Sequence, residues 1–255
     1  MSSSSDIAGR HVVISGGGSG VGAELAAQFA EGGAKVTILG RRLDALEEVA
    51  GQTGAHAEVC DVTDRASLDA AIASAAEAQG PVQIAIANAG AAPSKPFERM
   101  STQDFEAALG VNLVGVFNLW QACLPGMKDA GWGRLIAIAS TAGLKGYPYV
   151  SGYCAAKHGV VGLTRALAVE LARTGVTVNA ICPGFIETPL LERSIRNIVE
   201  KTGMSEEKAA KSLRAGNPQG RFIQPGEVAS AALWLASEGA GSVNGSALPV
   251  TGGEI

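Results

Sequence analysis

Aromatic side chains make up only 5% of this chain, and its histidines number three. A core with so few rings must be mainly aliphatic, and the 47% hydrophobic content supplies one of useful size. His11, His56 and His158 are scattered without ligand spacing, so they read as structural or surface residues and no metal site is expected. Cys60, Cys123, Cys154 and Cys182 form no CxxC pair. That spacing speaks against a zinc site or a disulfide framework and suits free thiols in a reducing cytoplasm. Cys154 is read as a small hydrophobe rather than a nucleophile. A basic surplus is missing too: 20 Lys and Arg stand against 24 Asp and Glu, a net charge of −4. Nucleic acid is therefore not an expected partner. No apolar run reaches bilayer length by inspection, so no membrane partner is expected either. The segment Met1–Asp6 lacks the basic and apolar regions of a secretory signal and reads as a short disordered lead.

What the chain does have is rhythm. Short β-branched runs fall near His11–Ser15, Lys35–Leu39, Ala55–Cys60, Val82–Ala87, Arg134–Ser140, Val176–Ile181 and Ala247–Val250. Longer helical stretches separate them near Gly20–Gly32, Leu43–Gly51, Arg65–Gln79, Thr102–Lys128, Val150–Arg173 and Gly226–Ala236. This alternation predicts βαβ units: an α/β chain with a mainly parallel sheet covered on both faces. Ser101 and Asp104 predict a helix cap, and Pro225 suits a first turn. No composition break divides the sequence, so residues 1–255 are expected to form one domain. The interval 188–221 is too long for an ordinary connection and holds two helical patches, Leu190–Thr202 and Ser205–Ala215. It predicts a substrate lid.

Ser15-Gly16-Gly17-Gly18-Ser19-Gly20-Val21-Gly22 follows the first strand and opens the first helix. Glycines there let backbone amides approach a pyrophosphate, which the positive helix end stabilises. At the end of the second strand, where NAD-selecting folds usually carry an acid, this chain has Arg41 and Arg42. Two guanidiniums suit a 2′-phosphate, so NADP(H) is favoured, with NAD(H) not excluded and a solvated arginine pair as the alternative. Asp61 and Val62 close the third strand, where the adenine edge should lie. Further along, Tyr153 and Lys157 stand four residues apart on a predicted helix, a rise of about 6 Å with both side chains on one face. A cation so placed favours the tyrosinate and makes the phenol a stronger acid, apt for proton exchange at a carbonyl oxygen.

Together these residues resemble the short-chain dehydrogenase/reductase family over nearly the whole chain. The family's glycine motif is matched by Ser15 through Gly22, and its Asn-Ala-Gly motif by Asn88-Ala89-Gly90. Asn112, Ser140, Tyr153 and Lys157 match the catalytic tetrad, and Pro183-Gly184 with Ile186 and Thr188 matches the segment that grips the nicotinamide. The resemblance implies a single Rossmann-type doubly wound domain, with a seven-stranded sheet in the order 3-2-1-4-5-6-7. It also implies an oxidoreductase interconverting a ketone and a secondary alcohol. Tyr153 would be the general acid of reduction and Lys157 would lower its pKa and hold the ribose. Ser140 would bond the reacting oxygen, and Asn112 would position a water linking Lys157 to solvent. Ser19 departs from many NADP-preferring members, which carry a base there, and leaves discrimination to Arg41 and Arg42. Leu144, Tyr147, Tyr149, Phe185, Leu190 and Leu191 are expected to line an apolar substrate pocket. Lys95, Arg99, Arg193, Arg196, Lys208, Lys211 and Arg214 could receive a coenzyme A or carrier-linked arm, or simply be solvated faces. A 3-oxoacyl thioester is favoured as substrate, and a free aromatic or alicyclic ketone competes with it. Of other classes, a sugar-nucleotide epimerase lacks room for its usual second domain, and a non-catalytic nucleotide sensor would not need the tetrad. Family members commonly form tetramers, so a homotetramer is expected.

Overall fold

Seven aliphatic runs become seven strands: β1 (His11–Ser15), β2 (Lys35–Gly40), β3 (His56–Val59), β4 (Val82–Ala87), β5 (Gly133–Ile138), β6 (Val176–Pro183) and β7 (Ala247–Val250). The computed structural model describes residues 6–255, so the first five residues of the expected lead lie outside the described residues. Every neighbouring pair is parallel, in the order β3-β2-β1-β4-β5-β6-β7. Parallel neighbours need crossovers, and these are supplied by α1 (Gly20–Glu31), α2 (Leu43–Thr53), α3 (Arg65–Gln79), α4 (Thr102–Leu109), α5 (Gly115–Asp129), α6 (Ser151–Glu170), α7 (Pro189–Thr202), α8 (Glu206–Arg214) and α9 (Pro225–Ala236).

Strand alternation divides the core in two. Val13, Leu39, Ala85, Leu135 and Val178 pack with Leu68 of α3, Leu119 and Trp120 of α5 and Val160 of α6. Val12, Ile38, Ile84, Ile86 and Ile136 turn the other way, against Leu25 and Phe29 of α1, Leu46 of α2 and Val228 of α9. Each fully buried Leu or Ile contributes roughly 1.5–3 kcal/mol, so the two layers rather than helix propensity hold the sheet. The expected caps are present: Ser101 and Asp104 form a capping box on α4, and Pro225 opens α9.

The long helix expected at Thr102–Lys128 is broken. Between α4 and α5 lies a π turn, Gly110–Val114, closed by the Gly115 amide donating to the Gly110 carbonyl. Asn112 stands in it, fully buried, with both hydrogens of its amide drawn to the Ala91 and Ala108 carbonyls. A Cβ on Gly115 would sit 2.7 Å from Val62 Cγ2, so the helix resumes hard against that side chain. The run Thr102–Asp129 also corrects the reading of apolar runs, because its 28 residues hold an 18-residue stretch of mean hydropathy 1.5, long and apolar enough by length and composition to cross a membrane. Here its apolar side chains have another use: Val116, Leu119, Trp120, Cys123 and Met127 are buried in the core.

The chain leaves β1 and β4 in opposite lateral directions, so a crevice opens at their carboxyl ends, the switch point where ligands bind in such sheets. Over this crevice runs the excursion carrying α7 and α8. Its two ends are zipped together, Glu187 N to Ile223 O and Ile223 N to Phe185 O, both 2.9 Å. The Leu191, Ile195, Ile198 and Val199 stripe of α7 is turned inward, with Leu191 fully buried.

Candidate active site

The glycine loop is shaped for close approach. Gly16 has φ +68°, and a Cβ on Gly22 would lie 2.0 Å from the Gly16 carbonyl oxygen, so neither position accepts a side chain. Ser19 precedes α1 without capping it, leaving the first-turn amides to an outside acceptor. That cradle fits a pyrophosphate. Ser15 and Asn88 are spent on each other's strands. Ser15 Oγ accepts from the amides of Asn88 and Ala89, and Asn88 Nδ2 donates to the carbonyls of Ser15 and Gly16. They tie the end of β1 to the end of β4, and the backbone of Asn88-Ala89-Gly90 borders the crevice. Arg41 and Arg42 are exposed beyond β2, and their guanidiniums make no hydrogen bond or ion pair among the described residues. Asp61, which follows β3 with Val62, accepts on Oδ1 from the amide and hydroxyl of Thr63, and its carboxyl is held below its usual range first by that amide bond.

Ser140 lies just past β5 rather than ending it, and its Oγ accepts from Ala142 N, opening the 3-10 turn Thr141–Gly143. The turn packs on α6: a Cβ on Gly143 would meet the Lys157 carbonyl oxygen at 2.7 Å. Ser140 lies close enough to Tyr153 for its hydroxyl to lower the phenol's pKa, against the larger effect of burial. Lys157 Nζ sits 5.6 Å from the Tyr153 ring centre and donates to the Ile138 carbonyl at 2.8 Å. The expected acidification of Tyr153 by Lys157 is not what this geometry gives. Burial pushes the phenol up to about 12, opposed by the Ser140 hydroxyl, while the same burial lowers Lys157 to about 8. Asn112 Oδ1 accepts from Ala91 N while its amide donates to the Ala91 and Ala108 carbonyls, so the side chain braces the loop after β4.

Of the pocket candidates, Tyr147 and Phe185 meet edge to face at 6.1 Å and 82°, forming one wall. Leu190 is half-buried on α7, and Leu191 borders a hollow of about 240 Å³ with Thr188, Ile195 and Phe222. Leu144 leans on the core cluster beneath. Tyr149 does not join them. Its φ of +66° turns the ring outward, 62% exposed, while its carbonyl accepts from Lys95 N. Among the rim cations, Lys95 is paired with Asp104 and Arg196 with Glu192. Thr188 and Ile186 stand where the excursion begins, Thr188 beside Gly20 of the glycine loop. Below them Pro183 and Gly184 carry β6 into the crevice. No motif marks Glu254, which reaches this region from beyond β7 to accept from Tyr147.

A crevice with a glycine cradle at one end and a Ser-Tyr-Lys cluster at the other invites comparison with known proteins. A family profile described as Enoyl-(Acyl carrier protein) reductase matches residues 16–254. The chain belongs to the short-chain dehydrogenase/reductase family. This is a family of nicotinamide-dependent oxidoreductases, and the enzyme resembles its members along nearly its full length. It is 35% identical over 249 residues to the D-beta-hydroxybutyrate dehydrogenase of Rhizobium meliloti, covering 94% of this chain and 96% of that protein. It is 34% identical over 252 residues to a 3-oxoacyl-(acyl-carrier-protein) reductase of Thermotoga maritima, covering 97% and 98%. Among solved structures, a variant of the actinorhodin polyketide ketoreductase with NADPH superposes with a TM-score of 0.93 at 34% identity, covering 96% of this chain and 97% of that one.

Proposed function

We propose that the enzyme reduces the ketone of a 3-oxoacyl thioester, or of a similar apolar ketone, with NADPH. The observation that carries this reading is the Tyr153 phenol with the Lys157 ammonium 5.6 Å from its ring and Ser140 nearby, in a fold that also builds a glycine cradle. The loop from Gly16 to Gly22 would hold the pyrophosphate, and Arg41 with Arg42 the 2′-phosphate. Asp61 and Val62 would border the adenine, and Asn88-Ala89-Gly90 with Pro183-Gly184, Ile186 and Thr188 would border the nicotinamide half. When bound, the nicotinamide supplies the hydride. Ser140 donates to the ketone oxygen and stabilises the charge developing there. Tyr153 gives that oxygen its proton, and Lys157 lies within reach to replenish the phenol. With the phenol near 12 and the ammonium near 8, both groups carry their protons at neutral pH, which favours reduction over oxidation. Asn112 contributes by fixing the π turn and the loop after β4.

The similarity to a hydroxybutyrate dehydrogenase supports a second reading, a free hydroxy acid or alcohol as the substrate. The apolar Tyr147–Phe185 wall supports the acyl reading over it. The decisive assay is NADPH oxidation with acetoacetyl-CoA, free acetoacetate and cyclic ketones at equal concentration. The highest kcat/KM is expected for acetoacetyl-CoA; no turnover with any ketone would refute the oxidoreductase reading, and a preference for a free ketone would replace the substrate. Val114 of the π turn, Phe117 of α5 and Val169 of α6 expose apolar surface, which supports a homotetramer, measurable by light scattering. Cys60, Cys123, Cys154 and Cys182 are free thiols, and three are buried, which supports a reducing cytoplasmic setting.

A further inference from the structure

Past β7 the chain turns back over the crevice, and Glu254 brings a carboxylate into it that is only 4% exposed. A carboxylate taken that far from water needs partners, and it has two. Tyr147 donates its hydroxyl to Glu254 Oε1 at 2.6 Å, and Lys145 Nζ lies 2.8 Å from the same oxygen. The Tyr147 hydroxyl also meets Thr141 Oγ1 at 2.7 Å, and Thr141 directly follows Ser140. The other face of the carboxylate touches two further segments. A Cβ on Gly184 would begin 3.1 Å from Oε2, and one on Gly216, where the excursion ends, 3.0 Å from Oε1. Next to it, Gly252 presses on Asn217, whose Nδ2 donates to the Arg221 carbonyl. One side chain therefore joins the turn carrying Ser140, the Pro183-Gly184 segment and the far end of the lid.

We propose that Glu254 is a positioning residue for the ketone: it fixes Tyr147 as a pocket wall in register with Ser140 and fastens the end of the lid over both. The proposal rests on the ketoreductase reading and adds to it a residue that makes no contact with the reacting atoms. Burial and the Glu254 bond both push the Tyr147 phenol above its ordinary value, so it remains a neutral donor at any pH the enzyme meets. Tyr147 is thereby held for shape and not for proton transfer.

The test is steady-state kinetics of Glu254→Ala, Glu254→Gln, Tyr147→Phe and Glu254→Ala/Tyr147→Phe with acetoacetyl-CoA at saturating NADPH. Glu254→Ala should raise KM roughly tenfold or more while kcat falls less, since a wall that no longer holds weakens binding before it affects chemistry. Glu254→Gln retains an acceptor for Tyr147 and should recover part of that loss. The double variant should be no worse than its more impaired parent, because both substitutions break one bond. Additive effects, or an unchanged KM in Glu254→Ala, would overturn the proposal, and Glu254→Gln carries the same test should the alanine variant not fold. Limited proteolysis separates this failure from that of the functional reading. Cleavage within 188–221 should be faster in Glu254→Ala than in wild type even if no ketone is turned over, and equal rates would refute the fastening role.

Discussion

Replacing Asn112 by Asp changes one amide nitrogen to oxygen, and the structure gives the consequence. Asn112 Nδ2 donates to the Ala91 carbonyl at 2.8 Å and the Ala108 carbonyl at 3.0 Å, in a site with no exposure. A carboxylate oxygen there donates nothing and faces two carbonyl oxygens. Leaving two buried acceptors unmet costs about 1–3 kcal/mol each before the repulsion is counted, so a loss of about 3 kcal/mol or more is expected. At about 2–4 °C per kcal/mol for a chain of this size, the thermal midpoint should fall by about 6–12 °C. The assay is a nucleotide-free thermal scan, with Asn112→Ala as the comparison that loses the bonds without gaining the repulsion. The introduced carboxyl would be protonated more readily in the folded chain than in the unfolded one. Folding then takes up a proton, so the deficit should shrink as pH falls toward about 5. NADPH binding should weaken too, because Asn112 Oδ1 braces Gly90 and Ala91 beside the nucleotide crevice. A midpoint within about 1 °C of wild type would refute the account, since bonds of this strength at full burial cannot vanish silently.

Tyr153→Phe should lower turnover by roughly a thousandfold or more while NADPH titration stays close to wild type, because only the proton donor is removed; ordinary turnover would end its assignment as the acid. Arg41→Ala should weaken NADPH by about tenfold or more and leave NADH nearly unchanged, as expected for a charge-assisted bond to a phosphate. Equal effects on the two cofactors would show that the guanidinium does not read that group. Burial lowers Lys157 from 10.5 to about 8, so between those values the unfolded chain binds more protons and this term raises stability as pH climbs. In Lys157→Met that rise from about pH 8 to pH 10.5 should be absent while activity is lost; denaturant titrations at the two pH values compare the slopes.

Several features could be read from residue order because their causes are local. β1, α3 and β4 fall where periodicity and turn residues placed them, and the Ser101-Asp104 box forms between neighbours in sequence. Tyr153 and Lys157 share a face because four residues make about one helical turn. The strand order, by contrast, was an expectation of the family resemblance, and the sheet follows it.

Where the outcome depended on what lies across the crevice, residue order was silent. Four-residue spacing put an ammonium near a phenol, yet only the surrounding packing decided that burial raises Tyr153 and turns Lys157 toward Ile138. A helix-forming run from Thr102 onward gave no sign of a π turn, because the carbonyls that hold Asn112 include Ala91, 21 residues away. Tyr149 looked like its neighbour Tyr147 until backbone φ sent one ring outward and Glu254 drew the other in. Sequence by itself determined the sheet, the glycine cradle and the Tyr153–Lys157 pair, since each follows from periodicity or short spacing, while Ser140 joined them through the family resemblance. Tertiary structure alone decided which protons those groups keep and which residue closes the pocket, since desolvation and a partner 107 residues away exist only once the chain is folded.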